Sequence, residues 1–151
     1  MLVADLDAVV RVAAVVHAGH PERREVLAER LALFPAGCLA TDGGYAITHP
    51  TLLGAPPALD TLLGALPARA DTLHIHDIAL LPAMQGRGLG GTALRALLAL
   101  AVRSALANLS LVAVNGTPPY WARFGFVDAP ASAGLASYGK EARYMVRPVV
   151  F

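Results

Sequence analysis

The first half of the chain shows two kinds of apolar spacing. Between residues 5 and 17, apolar side chains recur every three to four positions, which predicts an amphipathic helix. A second helix is predicted for residues 21–34, "PERREVLAERLALF", because Pro21 suits a first turn and charged residues follow one side. Between residues 37 and 49, two short apolar runs flank Asp42-Gly43-Gly44, a pattern typical of a β-hairpin.

The second half alternates predicted strands and helices. Residues 50–71 contain four prolines and two glycines among leucines, which predicts a long connection that covers a site. Residues 72–81, "TLHIHDIALL", are apolar enough for a buried central strand. The elements predicted beyond them are a helix over 88–104, a strand over 109–114, a short helix over 118–124 and a last strand within 141–151. This order predicts a mixed α/β fold in a single domain, residues 1–151.

Composition excludes several classes of protein. Hydrophobic residues make up 56% and charged residues 15%, so the chain is not disordered, and a net charge of +1 does not favour nucleic acid as a partner. Cys38 is the only cysteine, which excludes a disulfide framework and a cysteine-rich metal site. The chain lacks a signal-peptide pattern and any run of roughly 18 apolar residues, so we expect a cytoplasmic protein with no membrane partner.

A glycine-rich loop, "QGRGLGG" at residues 85–91, separates the central strand from the long helix. Backbone amides in such a loop and the positive end of the helix bind phosphate oxygens. The spacing of Gly86, Gly88 and Gly91 fits a dinucleotide site, but no Asp or Glu lies between Ile78 and Val127 to bind a ribose. A nucleoside-triphosphate loop would need a Lys-Ser or Lys-Thr pair, which is absent.

The same acid-free stretch is positively charged. It suits a ligand with several phosphates, although for Arg95 and Arg103 the favoured interpretation is the solvated face of a helix. The arginines of this stretch are Arg87, Arg95, Arg103 and Arg123.

Two motifs in this region resemble those of the GNAT superfamily of N-acyltransferases. "IALLPAMQGRGLGGTAL" is similar to the acyl-CoA signature of that family, and "YWARFGF" is similar to its later Y-x-x-x-G-F element. The resemblance implies a mostly antiparallel central sheet flanked by helices. It also implies acetyl-CoA as cosubstrate, held between two splayed central strands. Only the four residues "MLVA" are available for the first strand that is usual in the family.

The resemblance also implies which residues bind the cofactor. The pantetheine arm would pair with the central strand, the pyrophosphate would lie on the amides of the glycine-rich loop, and an asparagine would follow the second central strand. The residues so implied are Ile78, Ala79, Leu80, Leu81, Gln85, Gly86, Arg87, Gly88, Leu89, Gly90, Gly91 and Asn115.

Two histidines precede the loop on the central strand. Regular alternation would place His74 and His76 on one face, about 7 Å apart, and Asp77 on the other. Imidazole, with an unperturbed pKa of about 6.5, accepts a proton near neutral pH. In the resemblance, both positions match a histidine pair that arylalkylamine N-acetyltransferases use as bases. The hypothesis is that His74 or His76 is the general base and the other positions water or substrate.

Two alternative roles remain open for these histidines, and one alternative function remains open for the whole chain. They could be buried and hydrogen-bonded without a chemical role, or they could bind a metal with His49 as a further ligand, as in a metal-dependent hydrolase. A non-catalytic acyl-CoA-binding module is the third alternative. It is motivated by Trp121, which stands where much of the family has a tyrosine that protonates the thiolate.

The acceptor side is less defined in the sequence. Tyr120 could act as the acid in place of Trp121 if the local backbone allows it, while Tyr45, His49 and Trp121 are expected to line the acceptor site. His17 and His20 are expected on the surface. A small-molecule or peptide amine is expected as acceptor, and homodimerisation is left open.

Overall fold

A computed structural model describes residues 1–150 and shows a six-stranded sheet with helices on both faces. The helices are α1 (Leu6–Val16), α2 (Arg24–Leu33), α3 (Leu89–Arg103) and α4 (Pro118–Ala122). The strands are β1 (Cys38–Thr41), β2 (Gly44–Thr51), β3 (Thr72–Leu80), β4 (Asn108–Ala113), β5 (Val127–Asp128) and β6 (Arg143–Pro148).

The strands lie in the order β1-β2-β3-β4-β6-β5. The β3–β4 pair is parallel and the other neighbouring pairs are antiparallel. The prediction of a mixed, mostly antiparallel sheet flanked by helices is therefore confirmed.

Two apolar cores lie on opposite faces of the sheet. On one face, α1 and α2 bury Leu6, Val9 and Leu27 against Tyr45 and Ile47. On the other face, α3 packs its apolar stripe against alternate residues of β3 and β4. The residues that form this second contact include Leu94, Leu97, Leu100, Leu73, Ile75, Leu109 and Leu111.

The predicted helices and the hairpin are confirmed, with small shifts at their ends. The connection between β2 and β3 contains no helix. The first residues form a short 3-10 helix, Val3–Asp5, at the position where the family resemblance implied a first strand. The strand β5 was not predicted, since its two residues are exposed and carry no alternating pattern. Phe151, the end of the predicted last strand, lies outside the described residues.

A β-bulge interrupts the pairing of β2 with β3. Ile47 pairs with Asp77 and Thr48 pairs with Ile75, so His76 is the extra residue on β3. Beyond the bulge, Asp77 and Ala79 face α1 and α2, as His74 and His76 do, while Ile78 packs on the α3 side. The prediction that Asp77 points away from the histidines was wrong, because it assumed unbroken alternation.

The two central strands separate after a short stretch of pairing. Parallel pairing joins Thr72 to Asn108 and ends with Ile75 and Leu111, although β3 continues to Leu80. Beyond Ile75, β3 has a strand neighbour on one side only. The separation opens a cleft between β3 and β4. In residues 1–150, no helix has the length and apolar character needed to cross a membrane.

Candidate active site

A cavity of about 870 Å³ occupies the opening between β3 and β4. One end is formed by the glycine-rich loop, the start of α3 and α4, and the other end by the connection between α1 and α2. Leu59 and Tyr138, from two long loops, also line the wall. The cavity therefore joins a phosphate-type loop to a cluster of titratable side chains.

The glycine-rich loop presents free backbone donors to this cavity. Gly86 and Gly88 have φ values of +74° and +75°, a left-handed conformation that favours glycine. The first turn of α3 closes with a hydrogen bond from the Thr92 amide to the Gly88 carbonyl, 3.0 Å. The amides that precede Thr92 in that turn have no helical acceptor, and the helix dipole adds positive charge there. This arrangement can bind a phosphate group.

Most of the cofactor residues implied by the resemblance line the cavity, but two do not. Leu81 packs against the core beneath α1 and α2, and Arg87 is exposed outside the cavity. Those that line it are Ile78, Ala79, Leu80, Gln85, Gly86, Gly88, Leu89, Gly90, Gly91 and Asn115. Arg95 and Arg123 line it as well and carry the positive charge of the acid-free stretch into the site.

The aromatic residues of α4 have different positions. Trp121 is buried among Phe124 and Phe126, so it forms a wall of the cavity with its hydrophobic body. Tyr120 is 37% exposed, and a β-carbon at Gly90 would lie only 2.6 Å from its hydroxyl oxygen. The Tyr120 hydroxyl thus lies beside the first turn of α3.

His74 lies behind the cavity wall. Its side chain is buried, its Nδ1 is 3.0 Å from the Ser110 hydroxyl, and its ring packs beside His49 and Tyr144. Burial, followed by the neighbouring charges of His49 and His76, holds the pKa of His74 well below 6.5. Burial likewise lowers the pKa of His49 to about 3. Both rings are therefore neutral at neutral pH, and neither lines the cavity.

His76 lines the cavity and has a carboxylate partner. Its Nε2 lies 2.9 Å from Oε1 and 3.2 Å from Oε2 of Glu22, a residue in the connection between α1 and α2. Its Nδ1 is buried and has no hydrogen-bond partner among residues 1–150. Of the two histidines predicted as bases, His76 is the one that the structure places at the cavity.

A second histidine–carboxylate pair lies beside the first. His17 Nε2 is 2.7 Å from Oδ1 of Asp77, and the Tyr45 hydroxyl donates to the other oxygen of Asp77. Tyr45 is buried behind Asp77, where burial and the nearby carboxylate raise its pKa, and it does not line the cavity. The expectation that Tyr45 and His49 line an acceptor site is not supported, because both lie behind the wall. The expectation that His17 is a surface residue was wrong.

Sequence reasoning missed Glu22, and for His17 it missed the pairing with Asp77. Both residues come from "HAGHPE", a short polar connection between two helices, and their partners lie on β3, a distant part of the chain. The concentration of titratable residues in this connection was the only local signal. No group of three or more His, Cys, Asp or Glu side chains in the described part of the chain could hold a metal ion.

We expect His17 to titrate above its usual value near 6.5. Burial lowers the pKa of His17, but the contact and charge of Asp77 outweigh it and raise the pKa overall. Asp77→Asn removes the charge and leaves the burial, so the pKa of His17 should fall. An NMR titration of the histidine ring protons in both chains measures this change.

The same pair makes stability depend on pH. The contribution of protonated His17 is fully present below its unfolded pKa and is lost as pH rises through the raised folded pKa. The difference in melting temperature between the wild type and Asp77→Asn should therefore shrink from pH 6 to pH 8.5. A difference that grows over this range would contradict the assignment.

A family model described as "Acetyltransferase (GNAT) family" matches residues 42–126, more than half of the chain. Comparison with curated proteins gave no significant match.

Several solved structures share the fold. Ard1 from Thermoplasma volcanium is 13% identical, with a TM-score of 0.74 over 100% of this chain and 95% of that chain. The ribosomal-protein-S18-alanine N-acetyltransferase from Escherichia coli is 19% identical, with a TM-score of 0.67 over 100% and 92%. GphF, a GNAT-like decarboxylase in complex with isobutyryl-CoA, is 19% identical, with a TM-score of 0.71 over 97% and 96%.

Proposed function

The chain belongs to the GNAT acetyltransferase family, and from this premise we propose that it is an N-acetyltransferase that moves the acetyl group of acetyl-CoA to a primary amine. One observation carries the proposal: a phosphate-type loop and a histidine–carboxylate pair open on the same cavity, between two separated central strands. We further propose that residues 1–151 act as one domain. The single, buried cysteine supports a cytoplasmic location.

Acetyl-CoA would bind from the glycine-rich loop toward the middle of β3. The pyrophosphate would accept hydrogen bonds from the free amides at Gly88 and the first turn of α3, with Arg95 and Arg123 nearby as positive charges. The pantetheine arm would bond to backbone groups of β3 beyond Ile75, where the strand has no partner on the β4 side. This path leads the thioester to the end of the cavity that contains His76.

The amine would attack the thioester directly. Its ammonium form first loses a proton, which His76 accepts, and the neutral nitrogen then forms a bond to the acetyl carbon. The nitrogen of the tetrahedral adduct loses its second proton to water or to the departing thiolate, which leaves a neutral amide. A backbone amide near Leu80 would stabilise the oxyanion, and the C–S bond then breaks to release the CoA thiolate. A thiol with a pKa of about 8.5 is a tolerable leaving group, so the step does not require Trp121 to supply an acid.

Calorimetric titration with acetyl-CoA, with NAD as the control ligand, tests the binding half of this proposal. We expect acetyl-CoA to bind and NAD not to bind. Gly88→Ala should weaken acetyl-CoA binding about fivefold to tenfold, because a side chain at φ of +75° is strained by about 1–2 kcal/mol and displaces the loop amides.

A matched variant separates binding from backbone strain. Gly64 also has a positive φ, +74°, with open space around it, and it lies outside the cavity. Gly64→Ala should reduce stability by a similar amount without changing acetyl-CoA affinity. Equal loss of affinity in both variants, or NAD binding in the wild type, would remove the loop from the cofactor site. Tight acetyl-CoA binding with no turnover on any primary amine would instead support the non-catalytic binding module.

A further inference from the structure

We infer that Glu22 is a positioning residue for the proton transfer: its carboxylate holds the imidazole of His76 in one tautomer and stabilises the imidazolium that forms when the amine gives up its proton. This inference rests on the proposed function. It assigns a role to the connection between α1 and α2, which no sequence motif marks.

The hydrogen-bond geometry determines the tautomer. An ionised carboxylate only accepts hydrogen bonds, and both of its oxygens lie within 3.2 Å of His76 Nε2. Nε2 must therefore carry the proton of the neutral ring, which leaves Nδ1 as the atom with a free lone pair. Nδ1 is buried and makes no hydrogen bond within residues 1–150. The His76 side chain has no exposed surface, so we infer that the proton reaches Nδ1 through a water molecule.

The position of Glu22 is fixed from two sides. The Asp60 amide donates to its Oε2 at 3.1 Å, in addition to the bond from His76. Asp60 is itself held by Arg23, whose Nε lies 2.9 Å from Oδ2 of Asp60. The Glu22 side chain is only 9% exposed, so little water competes for the carboxylate. A carboxylate fixed in this way keeps the ring oriented while the proton moves.

Within residues 1–150, Glu22 is the only anion that bonds to His76. Asp77 is adjacent in sequence, but its two oxygens are taken by His17 and the Tyr45 hydroxyl. The other titratable groups around the ring are His49, whose ring centre is 6.0 Å away, and His74. Both of these are neutral at neutral pH.

The test compares Glu22→Gln with Glu25→Gln, a charge-matched change at an exposed position of α2 that lies outside the cavity. Turnover is measured as release of free CoA thiol from acetyl-CoA with a panel of primary amines. Glu22→Gln should lower kcat about tenfold to a hundredfold with a much smaller change in KM for acetyl-CoA. Glu22→Asp should restore part of the rate, and Glu25→Gln should match the wild type.

A second measurement does not depend on turnover. Long-range proton–nitrogen NMR of the wild-type chain reports which ring nitrogen of each histidine is protonated, and His76→Gln assigns the signal. We expect His76 to be protonated at Nε2 and not at Nδ1 at neutral pH. The opposite tautomer would overturn the inference, as would a Glu22→Gln chain with wild-type kcat. In the latter case, loss of turnover in His76→Gln would leave the proposed function standing, whereas an inactive wild type would remove the proposed function itself.

Discussion

Replacing His76 with glutamine is expected to lower kcat by about a hundredfold to ten-thousandfold, the range that a positioned general base contributes. His76 is the histidine of the predicted pair that lines the cavity and pairs with a carboxylate. Glutamine preserves a side chain that can hydrogen-bond to Glu22, but it cannot take up a proton. Acetyl-CoA affinity, measured by calorimetry, should stay within about twofold, because the cofactor contacts lie on the loop and the backbone of β3.

The equivalent change at His74 serves as the comparison. His74 lies behind the wall and contacts the Ser110 hydroxyl, so His74→Gln should cost about 1–3 kcal/mol of stability through a buried polar group left without its partner. Its kcat, measured at a temperature where the variant is folded, should remain within severalfold of the wild type. If His74→Gln lost turnover and His76→Gln kept it, the assignment of the base would be wrong.

Replacing Phe126 with alanine is expected to lower the free energy of unfolding by about 3–5 kcal/mol, the usual cost of removing a buried aromatic ring. The ring is 1% exposed and packs edge-on against Trp121, with ring centres 5.6 Å apart. The change leaves a cavity in the core beneath α3. Urea denaturation followed by circular dichroism measures the loss directly.

The adjacent residue provides an internal control for this measurement. Val127 is 62% exposed on β5, so Val127→Ala should change stability by no more than about 0.5 kcal/mol. Equal effects at the two positions would mean that the described packing of Phe126 is incorrect. A loss below about 1 kcal/mol for Phe126→Ala would lead to the same conclusion.

Much of the fold follows from hydrophobic spacing. Residues 5–17 and 88–104 each bury one stripe of side chains against the sheet, so the period of their apolar residues is enough to identify helices α1 and α3. The hairpin was predictable because its turn, Asp42-Gly43-Gly44, requires a positive φ, and Gly43 adopts a φ of +68° there. The family resemblance, carried by two local motifs, is confirmed by the family model.

The prediction for β3 was incomplete because strand register depends on pairing with a neighbour. Nothing in "TLHIHDIALL" marks the bulge at His76, which arises where Thr48 pairs with Ile75 and Ile47 pairs with Asp77. The face of Asp77 therefore could not be read from alternation alone. Strand β5 was not predicted for a similar reason, because its two exposed residues join the sheet only through pairing with β6.

The candidate site likewise has one part that follows from local sequence and one part that depends on contacts between distant segments. The glycine-rich loop was predictable because consecutive residues determine its conformation. The pair of Glu22 and His76 joins positions 54 residues apart, and the packing of α1 and α2 on the sheet brings them together. Without an approximate three-dimensional arrangement, the two side chains could not be assigned to one another.

The bulge at His76 also has an evolutionary consequence. A strand lacking this residue would have regular alternation, with Ile75 followed directly by Asp77, and Asp77 and Ala79 would still face α1 and α2. His76 is therefore equivalent to a one-codon insertion that adds a proton acceptor. The residues after it keep their side chains on the same faces of the sheet. A lineage could gain or lose this histidine in a single step and keep both the pairing of Asp77 with His17 and the path of β3 toward the phosphate loop.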